Sequence, residues 1–137
     1  MLIIDDNVDT FLKQTLVAVL GTTNESGLIH LVPIWFNWDH AEAYMFTHRG
    51  SPKWRNLRLN PYASLCVDRR EPPYSSVILY GYVQEVQLPI YDLVYSMAVR
   101  YYGDQAGRNF AEGYKDNPTG GVAFKLTPER VVQRLNS

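Results

Sequence analysis

Two apolar segments joined by a short polar turn constrain the fold of this chain more than any other feature. The first is LVAVLGTT (16–23), the second is LIHLVPIWFNW (28–38), and the polar stretch TNESG, which ends in Gly27, connects them. Segments of this composition favour strands, and a short connection ending in glycine favours an antiparallel hairpin. Pro33 cannot donate a ladder hydrogen bond, so we expect its strand to lie at a sheet edge or to carry a bulge.

The remaining segments extend this sheet and insert few helices. Helices are predicted in DDNVDTFLKQT (5–15), from Ser51 and Pro52 to just before Pro61, after Pro89, and within 103–119. Further strands are predicted at 41–47, 62–68 and 77–87, with a bulge at Gly81, and GGVAFKLTPERVVQRL (120–135) predicts a final strand pair. Strands that follow one another without regular helical crossovers indicate a mainly β, α+β fold built on an antiparallel sheet or barrel.

Composition limits the classes of protein to which the chain can belong. It has 137 residues, which predicts one domain over 1–137, and a formal net charge of −1, which does not favour a nucleic-acid-binding protein. No apolar run is long enough for a membrane span, so we expect a cytoplasmic protein without a membrane partner. The single cysteine, Cys66, excludes an intrachain disulfide and a multi-cysteine zinc site, and no metal site is predicted.

One basic stretch, THRGSPKWRNLRLNP (47–61), contrasts with this nearly neutral composition. The start of a helix attracts anions, whereas a lysine in the first turn is unfavourable unless an anion lies beside it. Hydroxyl groups of Thr47 and Ser51 would complete a phosphate site around Lys53. The alternative is a solvated basic helix face, and the spacing alone does not decide between them. The stretch holds four of the thirteen basic residues: Arg49, Lys53, Arg55 and Arg58.

Taken together, several motifs of residues 12–102 resemble the pyridoxamine 5′-phosphate oxidase-like split-barrel flavoproteins. They are a P-x-W-F strand, a T-x-x-x-S-x-K-x-x-N-L turn and helix, an N-P-x-x-S strand start and a G-x-V strand, in this order. The resemblance implies a six-stranded antiparallel split β-barrel with a few peripheral helices. It also implies an obligate homodimer that holds two flavin-type cofactors in grooves at its interface.

The resemblance further implies which residues bind the cofactor. Thr47, Ser51 and Lys53 would hold its phosphate, and Arg49 adds positive charge to the same turn. Phe46 stands where some members have a tyrosine that touches the phosphate. His30 and Tyr80 are further candidates for the cofactor groove. The flavin ring would be flanked by Val32, Pro33, Ile34 and Trp35.

Departures from the vitamin-salvage oxidases point to a smaller member of the class. His30 and Pro52 replace arginines of those oxidases, and Trp35 replaces a lysine. We therefore expect a flavin-dependent oxidoreductase that binds FMN and transfers hydride to or from a small molecule. The alternatives are a reductase that uses the deazaflavin coenzyme F-420, and a flavin- or haem-binding module without turnover. The sequence contains no catalytic motif of a hydrolase or nucleotide-binding enzyme, and it identifies neither the catalytic residues nor the substrate.

Overall fold

The computed structural model describes residues 2–117 and 119–136, which contain four helices and seven strands. The helices are α1 (Asp6–Leu12), α2 (Pro52–Leu59), α3 (Ile90–Tyr102) and α4 (Asp104–Glu112). The strands are β1 (Ala18–Thr23), β2 (Ile29–Ile34), β3 (Asn37–Trp38), β4 (Ala43–His48), β5 (Tyr62–Arg69), β6 (Ser75–Val86) and β7 (Gly121–Arg134). The prediction of a mainly β, α+β fold is confirmed, and a helix forms in each of the four predicted places.

All seven strands belong to one antiparallel sheet in the order β2-β1-β5-β6-β7-β4-β3. The strands β2 and β3 lie at its two ends, although only Trp35 and Phe36 separate them along the chain. The sheet must therefore curl until its two edges come together, which makes it a half-barrel. Pro33 predicted either an edge position or a bulge, and the structure has the edge position, because β2 is an edge strand.

The predicted count of six strands and two of the predicted strands need correction. The segment 28–38 does not form one strand: it breaks at Trp35 and Phe36, and the two-residue β3 pairs with β4 at the opposite edge. The predicted final strand pair is the single strand β7, because its pairing with β6 continues past Pro128. The chain does not turn back at Pro128 to form a hairpin. It continues in the same direction, and only the register of its pairing with β6 shifts there.

The offset in β7 explains the glycine in β6. Tyr80 pairs with Arg130 and Gly81 pairs with Pro128, so Glu129 is the additional residue of a bulge in β7. A side chain at position 81 would place its Cβ 2.1 Å from the carbonyl oxygen of Thr127. The predicted irregularity at Gly81 is confirmed, with the extra residue on the partner strand.

Two apolar clusters hold the elements together. The larger one fills the concave side of the sheet beneath α1 and α2, with Phe36, Leu20, Leu65, Leu79 and Phe124 fully buried. The smaller one joins α3 and α4 to β7 through Ile90, Val94, Ala111 and Ala123. Ala123 belongs to the smaller cluster and its neighbour Phe124 to the larger one, so the two clusters lie on opposite faces of β7.

The described residues contain neither a helix that could cross a membrane nor a cluster of metal ligands. None of the helices there has both the length and the apolar character required to cross a bilayer. Nor do the described His, Cys, Asp and Glu side chains form any group of three that would suit a metal ion.

Candidate functional site

The three residues predicted to hold a phosphate lie together in the structure. Thr47 comes from the end of β4, Ser51 is the N-cap of α2, and Lys53 is in the first turn of that helix. Lys53 Nζ donates to Thr47 Oγ1 at 3.1 Å, and Thr47 Oγ1 donates to Ser51 Oγ at 3.0 Å. The Trp54 amide also donates to Ser51 Oγ, at 3.3 Å. We call Thr47, Ser51 and Lys53 the cradle.

Within the cradle the hydroxyl oxygens already accept hydrogen bonds, whereas several N–H and O–H donors have no partner in it. Ser51 Oγ accepts two bonds, so its own proton can be donated to a ligand. Lys53 uses one of its three N–H groups on Thr47. Within the described part of the chain no carboxylate pairs with Lys53. Partial burial lowers the pKa of Lys53, since removal of water disfavours the ammonium ion. The cradle therefore suits an anion that accepts hydrogen bonds.

A cleft of about 280 Å³ opens beside the cradle. Thr47 and Lys53 form its polar end, and most of the rest of its wall is apolar or aromatic. Four residues predicted to flank a ring or phosphate also line it: Pro33, Ile34, Trp35 and Phe46. Four residues outside the predicted set complete the wall: Val17, His48, Phe110 and Tyr114.

Trp35 is the centre of an aromatic cluster at the apolar end of this cleft. The ring of Tyr101 stacks on Trp35 with centroids 5.1 Å apart and an angle of 5° between the planes. Tyr102 meets Trp35 edge-on at 4.9 Å, and Phe110 contacts it at 5.2 Å. Phe46 lies at 6.3 Å on another side. These contacts restrict the indole to one orientation beside the cleft.

The contribution of α4 and of the segment after it to the cleft was not predicted from the sequence. Phe110 and Tyr114 are four residues apart and contact each other at 6.0 Å, and Tyr114 also contacts Phe46 at 5.6 Å. Tyr114 stacks on His48 at the mouth of the cleft, with an angle of 10° between the rings. Burial raises the pKa of Tyr114, which keeps its hydroxyl protonated. The aromatic spacing at 110 and 114 is the one signal that the sequence contained.

Four other predicted site residues lie away from the cradle. Arg49 Nη2 pairs with Glu85 Oε2 at 3.1 Å and lines a neighbouring surface cleft. His30 lines a depression between the β1–β2 turn and α2, and its buried Nδ1 has no hydrogen-bond partner among the described residues. Val32 packs against the main core. Tyr80 is exposed on the convex side of the sheet, with the Arg130 guanidinium 5.9 Å from its ring centroid.

Comparisons with solved structures show the same fold in proteins of several functions. An F420 reductase superposes with a TM-score of 0.74 at 20% identity, covering 90% of this chain and 94% of that one. The haem storage protein HutZ from Vibrio cholerae has a TM-score of 0.70 at 15% identity, with coverages of 96% and 94%. A FAD-binding protein from Mesorhizobium loti has a TM-score of 0.65 at 21% identity, with coverages of 93% and 89%.

Comparison of the sequence with curated proteins finds no match. The family model described as pyridoxamine 5′-phosphate oxidase, however, matches residues 4–134, which is nearly the whole chain. The resemblance noted in the sequence is thereby confirmed, and the chain belongs to the pyridoxamine 5′-phosphate oxidase family.

Proposed function

We propose that this protein is a flavin-dependent oxidoreductase that binds FMN and transfers hydride to or from a small molecule. The observation that carries the proposal is the position of the cradle at one end of an aromatic cleft. FMN has the matching arrangement, a phosphate joined through a ribityl chain to a planar aromatic ring system. In this proposal, residues 1–137 form a single flavin-binding domain.

The residues present fit such a cofactor. Lys53 would neutralise the phosphate, whose oxygens would accept hydrogen bonds from the Ser51 hydroxyl and from the remaining N–H groups of Lys53. Trp35, Phe46 and Ile34 would pack against the ring and exclude water from it. When bound, the flavin itself would supply the hydride chemistry, and the protein would supply binding and orientation. The binding of an anion would also offset the cost of a half-buried ammonium ion.

We further propose that the site is completed by a second copy of the chain. The cleft is slightly smaller than the ~300–1,000 Å³ usual for ligand pockets, so a whole flavin nucleotide would extend beyond it. The convex side of the sheet presents an apolar surface that suits such an interface. Its exposed members include Ile29 and Leu31, at 73% and 68%, together with Tyr62 and Tyr80. We call these four residues the convex patch.

Coenzyme F-420 is the alternative cofactor for the same site. Arg55 and Arg58 are exposed on α2 and form no ion pair among the described residues, so they are free to meet a long anionic tail. The structural likeness to an F420 reductase is compatible with this alternative. A module that holds a flavin or haem without turnover would use the same cleft, and the likeness to a haem storage protein raises that alternative.

Titration of the purified protein tests the proposal. FMN, riboflavin, F-420 and haem are each added while absorbance and fluorescence are followed. We expect saturable binding of FMN and weaker binding of riboflavin, which lacks the phosphate. Tighter binding of F-420 or haem would identify that ligand, and not FMN, as the cofactor. Binding of none of the four would refute a cofactor site. If a flavin binds, consumption of NAD(P)H with a panel of acceptors distinguishes an enzyme from a binding module.

A further inference from the structure

Where the two edges of the sheet meet, the backbone forms hydrogen bonds with a helix instead of a neighbouring strand. Trp35 and Phe36 lie between β2 and β3 and belong to neither strand. The carbonyl of Phe36 instead accepts a hydrogen bond from Arg100 Nη1 at 2.8 Å, and its amide donates to the Tyr101 hydroxyl at 3.4 Å. The last turn of α3 thus provides the partners that a neighbouring strand would otherwise provide.

The same turn of α3 also fastens the segment before β1. The Tyr101 hydroxyl donates to the carbonyl of Leu16 at 2.8 Å. Arg100 donates to the carbonyls of Lys13 at 3.0 Å and Gln14 at 2.6 Å. Val17, the next residue along this segment, lines the cleft. One hydroxyl therefore joins two backbone segments that both end at the cleft wall.

The ring of Tyr101 is placed by these bonds. The side chain is mostly buried, and burial raises the pKa of its hydroxyl, although the bond at Phe36 and the charge of Arg100 act in the opposite direction. With the hydroxyl tied at both segments, the ring cannot rotate away from Trp35, on which it stacks almost in parallel. The stacking in turn fixes the indole plane at the apolar end of the cleft.

From these contacts we propose that Tyr101 is a positioning residue that holds Trp35 in the orientation needed to pack against the cofactor ring. This inference rests on the proposed function, because it assigns the apolar end of the cleft to a ring. Its consequence is that the ring end of the site is formed before the ligand arrives, which lowers the entropy lost on binding. The phosphate end depends on Lys53 and is independent of Tyr101.

Tyr101→Phe tests the proposal, because it keeps the stacked ring and removes the hydroxyl. The matched control is Tyr102→Phe, since Tyr102 also contacts Trp35 but its hydroxyl makes no hydrogen bond among those found in the described residues. Tyr101→Phe loses the bond accepted from the Phe36 amide and the bond donated to the Leu16 carbonyl, and we expect it to weaken FMN and riboflavin by the same factor, about fivefold. Tyr102→Phe should weaken neither. Equal affinities of Tyr101→Phe and wild type for both ligands would overturn the proposal.

A measurement without ligand separates this inference from the proposed function. The near-UV circular dichroism of Trp35 is obtained as the difference between wild type and Trp35→Phe. We expect Tyr101→Phe to lose a large part of that signal while keeping the wild-type far-UV spectrum, and Tyr102→Phe to keep the signal. An unchanged Trp35 signal in Tyr101→Phe would refute positioning by Tyr101. If wild type binds neither flavin, the proposed function fails, and this spectrum still decides whether Tyr101 orients Trp35.

Discussion

At the scale of single residues, Lys53 has the most informative environment in this protein. It lies in the first turn of a helix, half-buried, with no carboxylate beside it among the described residues. Burial and the helix dipole both disfavour a cation there. In the proposed function, the phosphate of the cofactor would supply the negative charge that Lys53 lacks.

Lys53→Ala should weaken FMN about tenfold to a hundredfold, as expected for one charge-assisted hydrogen bond of about 1.5–3 kcal/mol. Riboflavin, which lacks the phosphate, should bind both proteins equally. Arg70→Ala is the control, because it removes a positive charge from an exposed residue outside the cleft. The lowered pKa of Lys53 also predicts a pH dependence. Wild-type affinity for FMN should fall as the pH rises through this pKa, because Lys53 loses its charge there, and this pKa lies below the ordinary value of lysine. Unchanged FMN affinity in Lys53→Ala would remove the cradle from the binding site.

Gly81→Ala tests the close approach of β6 to the bulge in β7. The added Cβ would lie 2.1 Å from the Thr127 carbonyl oxygen, and a backbone atom in a paired strand has little freedom to move. We expect the free energy of unfolding to fall by about 3 kcal/mol in chemical denaturation, at the upper end of the range for overpacking. Gly50→Ala, whose Cβ would have no neighbour within 4 Å, should change stability by less than about 1 kcal/mol. Equal losses in the two variants would contradict this account.

At the scale of elements, α1 is attached to the end of the sheet by one carboxylate. Asp9 accepts hydrogen bonds from Trp38 Nε1 at 2.7 Å and from His40 Nδ1 at 3.0 Å, and it pairs with Lys13 Nζ at 3.1 Å. Burial alone would raise the pKa of Asp9, but the three donors outweigh it, and the pKa lies below its ordinary value. A helix of seven residues is not stable alone in water, so these bonds and the burial of Phe11 and Leu12 account for its position.

The lowered pKa of Asp9 predicts how stability depends on pH. A carboxylate whose folded pKa is depressed adds stability that is present above its unfolded pKa, about 3.9, and is lost as the pH falls through the folded pKa. Asp9→Asn keeps an oxygen acceptor for Trp38 and removes the charge. We expect it to be less stable than wild type at neutral pH, and the difference to shrink below about pH 4. Denaturation curves at several pH values check this, and a difference independent of pH would contradict it.

At the scale of the whole molecule, a single curled sheet explains how the cleft is built. Its edges meet because β2 and β3 are adjacent in sequence and lie at opposite ends of the strand order. The cleft forms along this closure, between β2, the end of β4 and the segment after α4. Residues 33–35 and 46–53 are thereby brought to one place without being adjacent in sequence.

The proposed homodimer makes a prediction at this scale. Leu31→Arg places a charge in the middle of the convex patch, where Leu31 is 68% exposed in the single chain. We expect wild type to sediment as a dimer and Leu31→Arg as a monomer with weakened FMN binding, because burial of an unpaired charge is strongly unfavourable. Leu88→Arg is the matched control, since Leu88 is an exposed leucine outside the patch. If wild type is a monomer, or if Leu31→Arg remains a dimer, the convex patch is not the interface.

Local signals in the sequence were sufficient for most of the fold. Cap residues and prolines predicted the starts of α2 and α3, and the composition of 16–38 predicted the first hairpin. The strand break at Trp35 and Phe36 was not predictable in this way. The segment 28–38 is mostly apolar, and its backbone between β2 and β3 is bound instead by Tyr101 and Arg100 of α3, about sixty-five residues further along the chain.

By itself, the sequence determined the fold class and the grouping of Thr47, Ser51 and Lys53, because both follow from local patterns along the chain. Pro33 indicated either an edge or a bulge, and the tertiary structure decided for the edge. Only the tertiary structure decided which residues share the cleft. In the folded chain Arg49 pairs with Glu85, and His30 and Tyr80 lie on other surfaces. Phe110 and Tyr114 lie in the cleft wall. The physical reason is that these positions depend on where the sheet closes and where α3 and α4 pack, which are contacts between segments far apart in the chain.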